Sequence, residues 1–373
     1  MLNLAQMIPF VNLTAQREAY RLELETAEKA VFDSGCYIGG PQVPALEAEL
    51  AGFCGSKHAI SCGSGTDALT IALMALGLRH GDQVIVPDFT FIAPAESVVL
   101  LGGTPVFADI DGLTLQISPE SVEKLITPAT KGIVAVNLFG QCAPFEALRK
   151  IADKYGLWLL EDAAQAFGAT RNGKGACTLG DIGITSFYPS KPLGCYGDGG
   201  AIFTNNDELA TKMRQIANHG CSAHYLHETI GVNSRLDAIQ AAVLRVKLRH
   251  LTAELEQRRR NAQMYDAFFA HYEGFTPQRL DIGNLSTYAQ YTLLAQNRDA
   301  FIEKLKQAEI PFCIHYPRPL HLQPCFNNRE GHDKAIQNCD GFVSTDVCQK
   351  VISLPVCAFT DVPSIINKLR SFL

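Results

Sequence analysis

The sequence predicts an α/β protein: a mainly parallel seven-stranded sheet between helices, followed by a smaller C-terminal α+β domain. Three observations predict it. Between about residues 58 and 204, short apolar runs alternate with helical patterns. Most of these runs are continuously apolar rather than alternating, which marks strands covered on both faces. After Gly274 the texture changes to strands and short helices punctuated by proline and glycine.

The elements follow in chain order. An N-terminal arm, about residues 11 to 33, reads as an amphipathic helix leading to the turn Ser34-Gly-Cys-Tyr-Ile-Gly-Gly-Pro41. The expected strands are His58-Cys62, Gln83-Pro87, Pro105-Asp109, Gly132-Leu138, Leu157-Glu161, Ile182-Phe187 and Gly200-Thr204. Helices are expected between them at Asp67-Leu78, Ala93-Leu101, Ser118-Leu125 and Phe145-Tyr155. The last two strands follow each other closely and include an antiparallel member. From Leu236 to Tyr272 apolar residues recur at 236, 239, 243, 244, 248, 251 and 255, a helical stripe with no internal glycine or proline. Such a helix can bridge two domains, and the expected division is residues 1–250 with the arm and residues 251–373.

Composition narrows the function. With 47% hydrophobic and 19% charged residues, the chain is a well-packed globular one. A net charge of −6 argues against a nucleic-acid surface. The one basic cluster, Arg258-Arg-Arg260, reads as a solvated helix face. No run is long and apolar enough for a membrane span, and no export signal opens the chain, so a cytoplasmic protein is expected. Twelve cysteines are scattered without a Cys-x-x-Cys pair and read as reduced thiols, several of them small core fillers. His219, Cys221, His224 and His227 repeat no known ligand spacing; they read as a mobile polar loop, and no metal is expected.

Lys191 is the most informative residue. It lies between an apolar strand and the glycine-rich stretch Gly194-Cys-Tyr-Gly-Asp-Gly-Gly200. Packed chain on both sides would desolvate its ammonium, lower its pKa and free the amine to attack a carbonyl. The ordinary alternative is a lysine that reaches past a strand end to water. A second segment weighs against it: Leu157-Trp-Leu-Leu-Glu-Asp-Ala-Ala-Gln-Ala-Phe-Gly168 delivers Asp162 to the carboxyl end of a strand, where ligands bind in such sheets. A Schiff-base lysine with an aspartate able to protonate a pyridine nitrogen is the minimal kit for pyridoxal phosphate chemistry.

Other segments fit that kit. Gly63-Ser-Gly-Thr-Asp67 stands between a strand and a helix, where glycines and free amides suit a phosphate, although a plain cap by Thr66 or Asp67 would look the same. Phe91 either stacks on a cofactor ring or fills the core, with the core favoured by base rate. Gln165 lies three residues beyond Asp162, and Ser186 and Ser190 flank the lysine.

Together these segments resemble the fold-type-I pyridoxal-phosphate enzymes, and more narrowly the DegT-type sugar-nucleotide aminotransferases. The resemblance runs from Tyr37-Ile-Gly-Gly-Pro41 through Gly63-Ser-Gly-Thr-Asp-Ala-Leu69, Glu161-Asp-Ala-Ala-Gln165 and Ser186-Phe-Tyr-Pro-Ser-Lys191 to Gly231-Val-Asn-Ser-Arg-Leu-Asp237. It implies that Lys191 carries the cofactor and Asp162 holds its ring nitrogen protonated. Phe91 and Gln165 would contact the ring. Gly65, Thr66, the Asp67 amide and Ser186 would hold the phosphate. Family members are homodimers with shared active sites, in which Asn233 would reach the neighbouring subunit's phosphate.

Within the family, Ser190-Lys-Pro-Leu-Gly-Cys-Tyr-Gly-Asp-Gly199, Asn233-Ser-Arg235, Tyr288-Ala-Gln-Tyr291 and His315-Tyr-Pro317 are similar to enzymes that aminate C3 of UDP-2-acetamido-2-deoxy-3-keto-glucuronic acid, with L-glutamate as donor, for cell-surface polysaccharide biosynthesis. That branch implies substrate contacts from Gly35, Tyr37, Ser190, Arg235, His315 and Tyr316. A guanidinium fork such as Arg235 suits a carboxylate. Asn-Ser-Arg also occurs in relatives that act on 6-deoxy sugars, so a dTDP- or UDP-linked 3-keto or 4-keto 6-deoxy sugar is the competing substrate. Dehydratases of this fold carry His where Lys191 stands. A non-enzymatic regulator on the same scaffold is the remaining alternative, against which Lys191, Asp162 and Thr66 stand together.

Overall fold

The computed structural model describes residues 8–327 and 339–373. The N-terminal arm is two helices, α1 (Leu13–Ala19) and α2 (Arg21–Ser34), where the sequence suggested one. Tyr20 breaks it: its ring stacks on His250 with centroids 4.0 Å apart, and its backbone leaves the helical region at φ −111°, ψ 13°. Helix α3 (Gln42–Cys54) follows and leads into the sheet.

That sheet holds β1 (His58–Cys62), β2 (Gln83–Pro87), β3 (Thr104–Ala108), β4 (Thr130–Val136) and β5 (Trp158–Asp162). A small hairpin of β6 (Thr170–Arg171) and β7 (Lys174–Gly175) lies outside it, and β8 (Ile182–Ser186) and β9 (Gly200–Thr204) complete it. The strand order is β1-β9-β8-β5-β4-β2-β3, and only β9 runs against the rest. Most strand ends lie within one or two residues of expectation. The largest difference is at β4, which stops at Val136; Leu138–Gly140 is a short 3₁₀ turn instead. Asn137 makes that stop, because its Oδ1 accepts the Ala143 N–H at 2.9 Å and its amide donates to Glu161 at 2.7 Å.

The continuous apolar runs have a direct cause. Along each strand, consecutive side chains enter opposite cores: Ala59 one and Ile60 the other, Ile85 one and Val84 and Val86 the other, Leu159 one and Leu160 the other. One core is closed by α4 (Gly65–Ala75), α5 (Ala93–Leu100) and α8 (Asp207–Ala217). The other is closed by α3, α6 (Pro119–Lys124), α7 (Phe145–Tyr155) and α9 (Ala238–Phe269).

Helix α9 is 32 residues long, about 48 Å of rise, and serves two cores. Its first half places Leu244, Leu251 and Leu255 under the large sheet. Its last turns place Ala262, Tyr265 and Phe269 against a separate antiparallel sheet of Phe275–Pro277, Tyr291–Ala295 and Val351–Leu354. Arg258 lies between the two cores and corrects the expected solvated face. It is 3% exposed, its Nη1 donates to the Tyr288 carbonyl, and burial lowers its pKa, while Arg260 alone of the three arginines is on the exposed face. The segment expected as a loop with His219 and His227 contains a short hairpin, Cys221–Ala223 with Leu226–His227. Among the described residues no helix is long and apolar enough to cross a membrane.

Candidate active site

The carboxyl ends of β4, β5 and β8 and the start of α4 border a cavity of about 520 Å³. Asp162 is the last residue of β5 and Ser186 the last of β8, so both side chains stand at its floor. Glu161, one residue earlier, faces the other side, where it accepts the amides of Cys177 and Leu179, each at 2.8 Å. Asp162 is 5% exposed and accepts the Ala164 N–H at 2.9 Å.

Lys191 enters from the turn after β8, which folds on itself so that the Lys191 N–H donates to the Tyr188 carbonyl at 2.9 Å. Its ammonium has no hydrogen bond or ion pair among the described residues; it feels the Asp162 charge across the cavity. Burial holds the Lys191 amine below its ordinary pKa, against the raising pull of Asp162. Burial likewise holds the Asp162 carboxyl above its ordinary range, against the Ala164 amide and the Lys191 charge. Desolvation therefore dominates at both groups. It favours the neutral amine, the form of lysine that attacks a carbonyl.

Helix α4 starts two residues before its expected position, and Ser64 caps it by accepting the Asp67 N–H at 3.0 Å. Neither Thr66 nor Asp67 is the cap. The amides of Gly65 and Thr66, at the first turn, have no intrahelical partner and border the cavity beside Ser186. Gly65 is required there: a Cβ on it would lie 2.8 Å from the Ser186 Cβ. A helix N-terminus with two free amides, a threonine and a serine hydroxyl fits a phosphate, and the lysine–carboxylate pair beyond it fits a pyridine aldehyde. The residues present thus suit pyridoxal phosphate.

The opposite wall comes from the segment after Cys313, which pairs with Ser353 of the antiparallel sheet. His315 and Tyr316 line it, and burial together with the Lys191 charge lowers the His315 pKa to about 4, so this imidazole is neutral at pH 7. Gln165 is buried, with Oε1 accepting the Phe139 N–H at 2.6 Å and Nε2 donating to the Tyr316 hydroxyl at 3.2 Å. Phe91 is 54% exposed and borders the cavity, its ring 6.2 Å from that of Tyr316; it is no core residue. Ser190 borders the cavity too.

The other candidates do not reach it. The Asp67 amide is taken by Ser64, and its carboxylate accepts the Ser234 hydroxyl at 2.7 Å. Gly35, Tyr37, Asn233 and Arg235 cluster on the surface: the Ala238 N–H donates to the Tyr37 carbonyl at 2.8 Å, and Ile38 pairs with Asp237. Arg235 is exposed and donates to Asn218 Oδ1 at 3.2 Å; Tyr37 is 47% exposed. Several cavity residues escaped the sequence reading, among them Thr90, Tyr188, Asp198 and Gln290. Asp198 sits in Gly197-Asp-Gly-Gly200, a signal that could have been taken for more than a turn. Gln290 is brought in by the second core, which no local pattern shows.

Residues 20–369 match the DegT/DnrJ/EryC1/StrS aminotransferase family. The chain belongs to that family. It is 46% identical over 359 residues to the UDP-2-acetamido-2-deoxy-3-oxo-D-glucuronate aminotransferase of Pseudomonas aeruginosa, covering 96% of this chain and 98% of that one. Among solved structures it is similar to Streptomyces venezuelae DesV in complex with a ketimine intermediate, with TM-score 0.93, 37% identity and 98% of each chain covered. It is also similar to Bacillus subtilis NtdA with bound cofactor PMP, with TM-score 0.85 and 29% identity, covering 95% of this chain and 82% of that one. The chain is thus an aminotransferase of that family.

The electrostatics of the cavity are open to direct measurement. In histidine NMR spectra recorded between pH 5 and 8, His315 is expected to stay neutral, because burial and the Lys191 charge lower its pKa to about 4. A His315 midpoint near 6.5 would contradict the burial argument.

Proposed function

We propose that this protein is a pyridoxal-phosphate-dependent aminotransferase that moves an amino group from L-glutamate to C3 of UDP-2-acetamido-2-deoxy-3-oxo-D-glucuronic acid, on the way to a cell-surface polysaccharide. The observation that carries the reading is the facing of Lys191 and Asp162 beside the free amides of Gly65 and Thr66 in one cavity. The choice of sugar is supported by the relative in Pseudomonas aeruginosa.

In this reading the Lys191 amine holds the cofactor covalently, Asp162 keeps its ring nitrogen protonated, and Gly65, Thr66 and Ser186 hold its phosphate. When bound, pyridoxal phosphate supplies an electron sink for the carbon that loses a proton. Released Lys191 takes the proton from the α-carbon of glutamate on its Nζ, a task its lowered pKa suits. Phe91 covers one face of the ring site. Gln165 orients the Tyr316 phenol, and neutral His315 offers a donor without adding charge. Glutamate leaves as 2-oxoglutarate, and the keto sugar takes up the amine.

Charge bears on assembly. The cavity carries the carboxyl groups of Asp162 and Asp198, a single amine at Lys191 whose charge burial disfavours, and an imidazole held neutral. Glutamate and a UDP-uronate are both strongly anionic, so one chain's cavity lacks the cations to hold them. Arg235, with Asn233, Gly35 and Tyr37, is the missing set, and it lies on a surface with the exposed apolar residues Ile38, Tyr225 and Ile230. A two-fold homodimer that docks this surface against the partner's cavity completes both sites in the same way. We read residues 1–250 as the larger domain and residues 251–373 as the smaller one, and the free thiols of all twelve cysteines suit the cytoplasm.

The substrate assignment is tested by incubating the protein with L-glutamate and a set of nucleotide keto sugars and weighing the products. The UDP 3-keto uronate is expected to gain an amine fastest, and Arg235→Ala to lose about 2–5 kcal/mol of transition-state binding with it. Faster amination of a dTDP-linked 6-deoxy keto sugar would hand the site to that substrate.

Sharing of the site is tested by mixing two inactive variants, Lys191→Ala and Asn233→Ala. Random re-pairing makes about half the dimers mixed, each with one intact and one doubly broken site, so activity should return to roughly a quarter of wild type. No recovery, with exchange shown by mass, would place Asn233 at its own chain's cofactor.

A further inference from the structure

The turn that carries Lys191 is held from behind by a buried charge. Lys247 on α9 is 2% exposed, and burial lowers its pKa to about 8. Its Nζ donates to the Gly194 carbonyl at 2.7 Å and lies 4.3 Å from the centre of the Tyr196 ring. No carboxylate forms an ion pair with it among the described residues. Glu254 is close enough to raise the Lys247 pKa but forms no ion pair with it, so burial is only partly offset and an apolar side chain of the same length would fill the space for less.

What Lys247 touches suggests its task. Gly194 to Tyr196 is the closing end of the Lys191 turn, where the Cys195 N–H donates to the Phe187 carbonyl at 2.8 Å. A Cβ on Gly194 would lie 2.3 Å from the Pro189 carbonyl, so the closing end presses on the chain that leads into Lys191. Gln240, two helical turns before Lys247 on the same face of α9, grips the next residue at both ends. Its Oε1 accepts the Tyr196 N–H at 2.8 Å, and its Nε2 donates to the Tyr196 carbonyl at 3.3 Å. Helix α9 is itself fixed in both cores.

We infer that Lys247 and Gln240 are positioning residues for Lys191, clamping its turn to α9 so that the amine stays aligned with Asp162 and the cofactor. The inference rests on the reading of Lys191 as the covalent anchor. Neither side chain touches the reacting atoms. Freeing the turn would let the amine drift by an ångström or so, and displacements of that size cost on the order of 100-fold in rate.

The test uses the full-length holoenzyme. Lys247→Met is expected to lower kcat by about 10- to 100-fold while KM for glutamate changes by less than about twofold. The visible circular dichroism of the cofactor, which reports how its ring is held, is expected to weaken in the same variant, and Lys247→Arg to restore both readouts in large part. If Lys247→Met does not fold, Gln240→Met removes the other half of the clamp without altering a buried charge and is read in the same way. A folded variant with wild-type kcat and wild-type visible dichroism, whatever its melting temperature, overturns the inference. Failure of the underlying reading is seen separately, as cofactor attached to a lysine other than Lys191 in the wild-type protein.

Discussion

The burial of two ionisable groups that face one cavity, Asp162 and Lys191, is the constraint on which the site depends. Each group is held away from water, and each is destabilised in its charged form by that burial. Burial outweighs their mutual attraction, so each is drawn toward its neutral form. The parallel strands make the arrangement possible. Because β5 and β8 are neighbours running the same way, their carboxyl ends open on one side, and the turn after β8 can bring Lys191 back over Asp162. Reversing β9 lets the chain return from that turn into the sheet without a crossover helix.

The remaining walls come from farther away in sequence. Helix α4 turns its free amides toward the same opening because Ser64 satisfies the third one. The antiparallel sheet supplies the rest: Gln290 directly precedes its strand Tyr291–Ala295, and His315 and Tyr316 follow Cys313, which pairs with its Ser353. Helix α9 joins the large sheet to the antiparallel one and, through Lys247 and Gln240, holds the turn that carries Lys191.

Much of this was legible in the sequence. Strands that feed two cores at once must be apolar at every position, so all seven central strands could be read from short apolar runs. Lys191 and Asp162 were legible because each follows such a run. What escaped was decided by contacts distant in sequence. Tyr20 breaks the N-terminal helix by stacking on His250, which lies 230 positions later, and nothing near Tyr20 announces that partner. Arg258 carries the composition of a surface helix, yet the second core packs over it. Ser64 rather than Thr66 or Asp67 caps α4, a choice between adjacent polar residues that only backbone geometry makes. Phe91 escapes the core because the loop after β2 turns it into the cavity. Asn233 and Arg235 lie outside the cavity because contacts distant in sequence place them: Asn233 bridges to Asn218, and Arg235 donates to the same residue.

The covalent role of Lys191 is the centre of the account, and one measurement addresses it most directly. The protein loaded with pyridoxal phosphate is reduced with borohydride, digested, and its peptides are mapped by mass. The account predicts the phosphopyridoxyl group on Lys191 and its loss in Lys191→Ala. A group fixed on any other lysine, or on none, would contradict it.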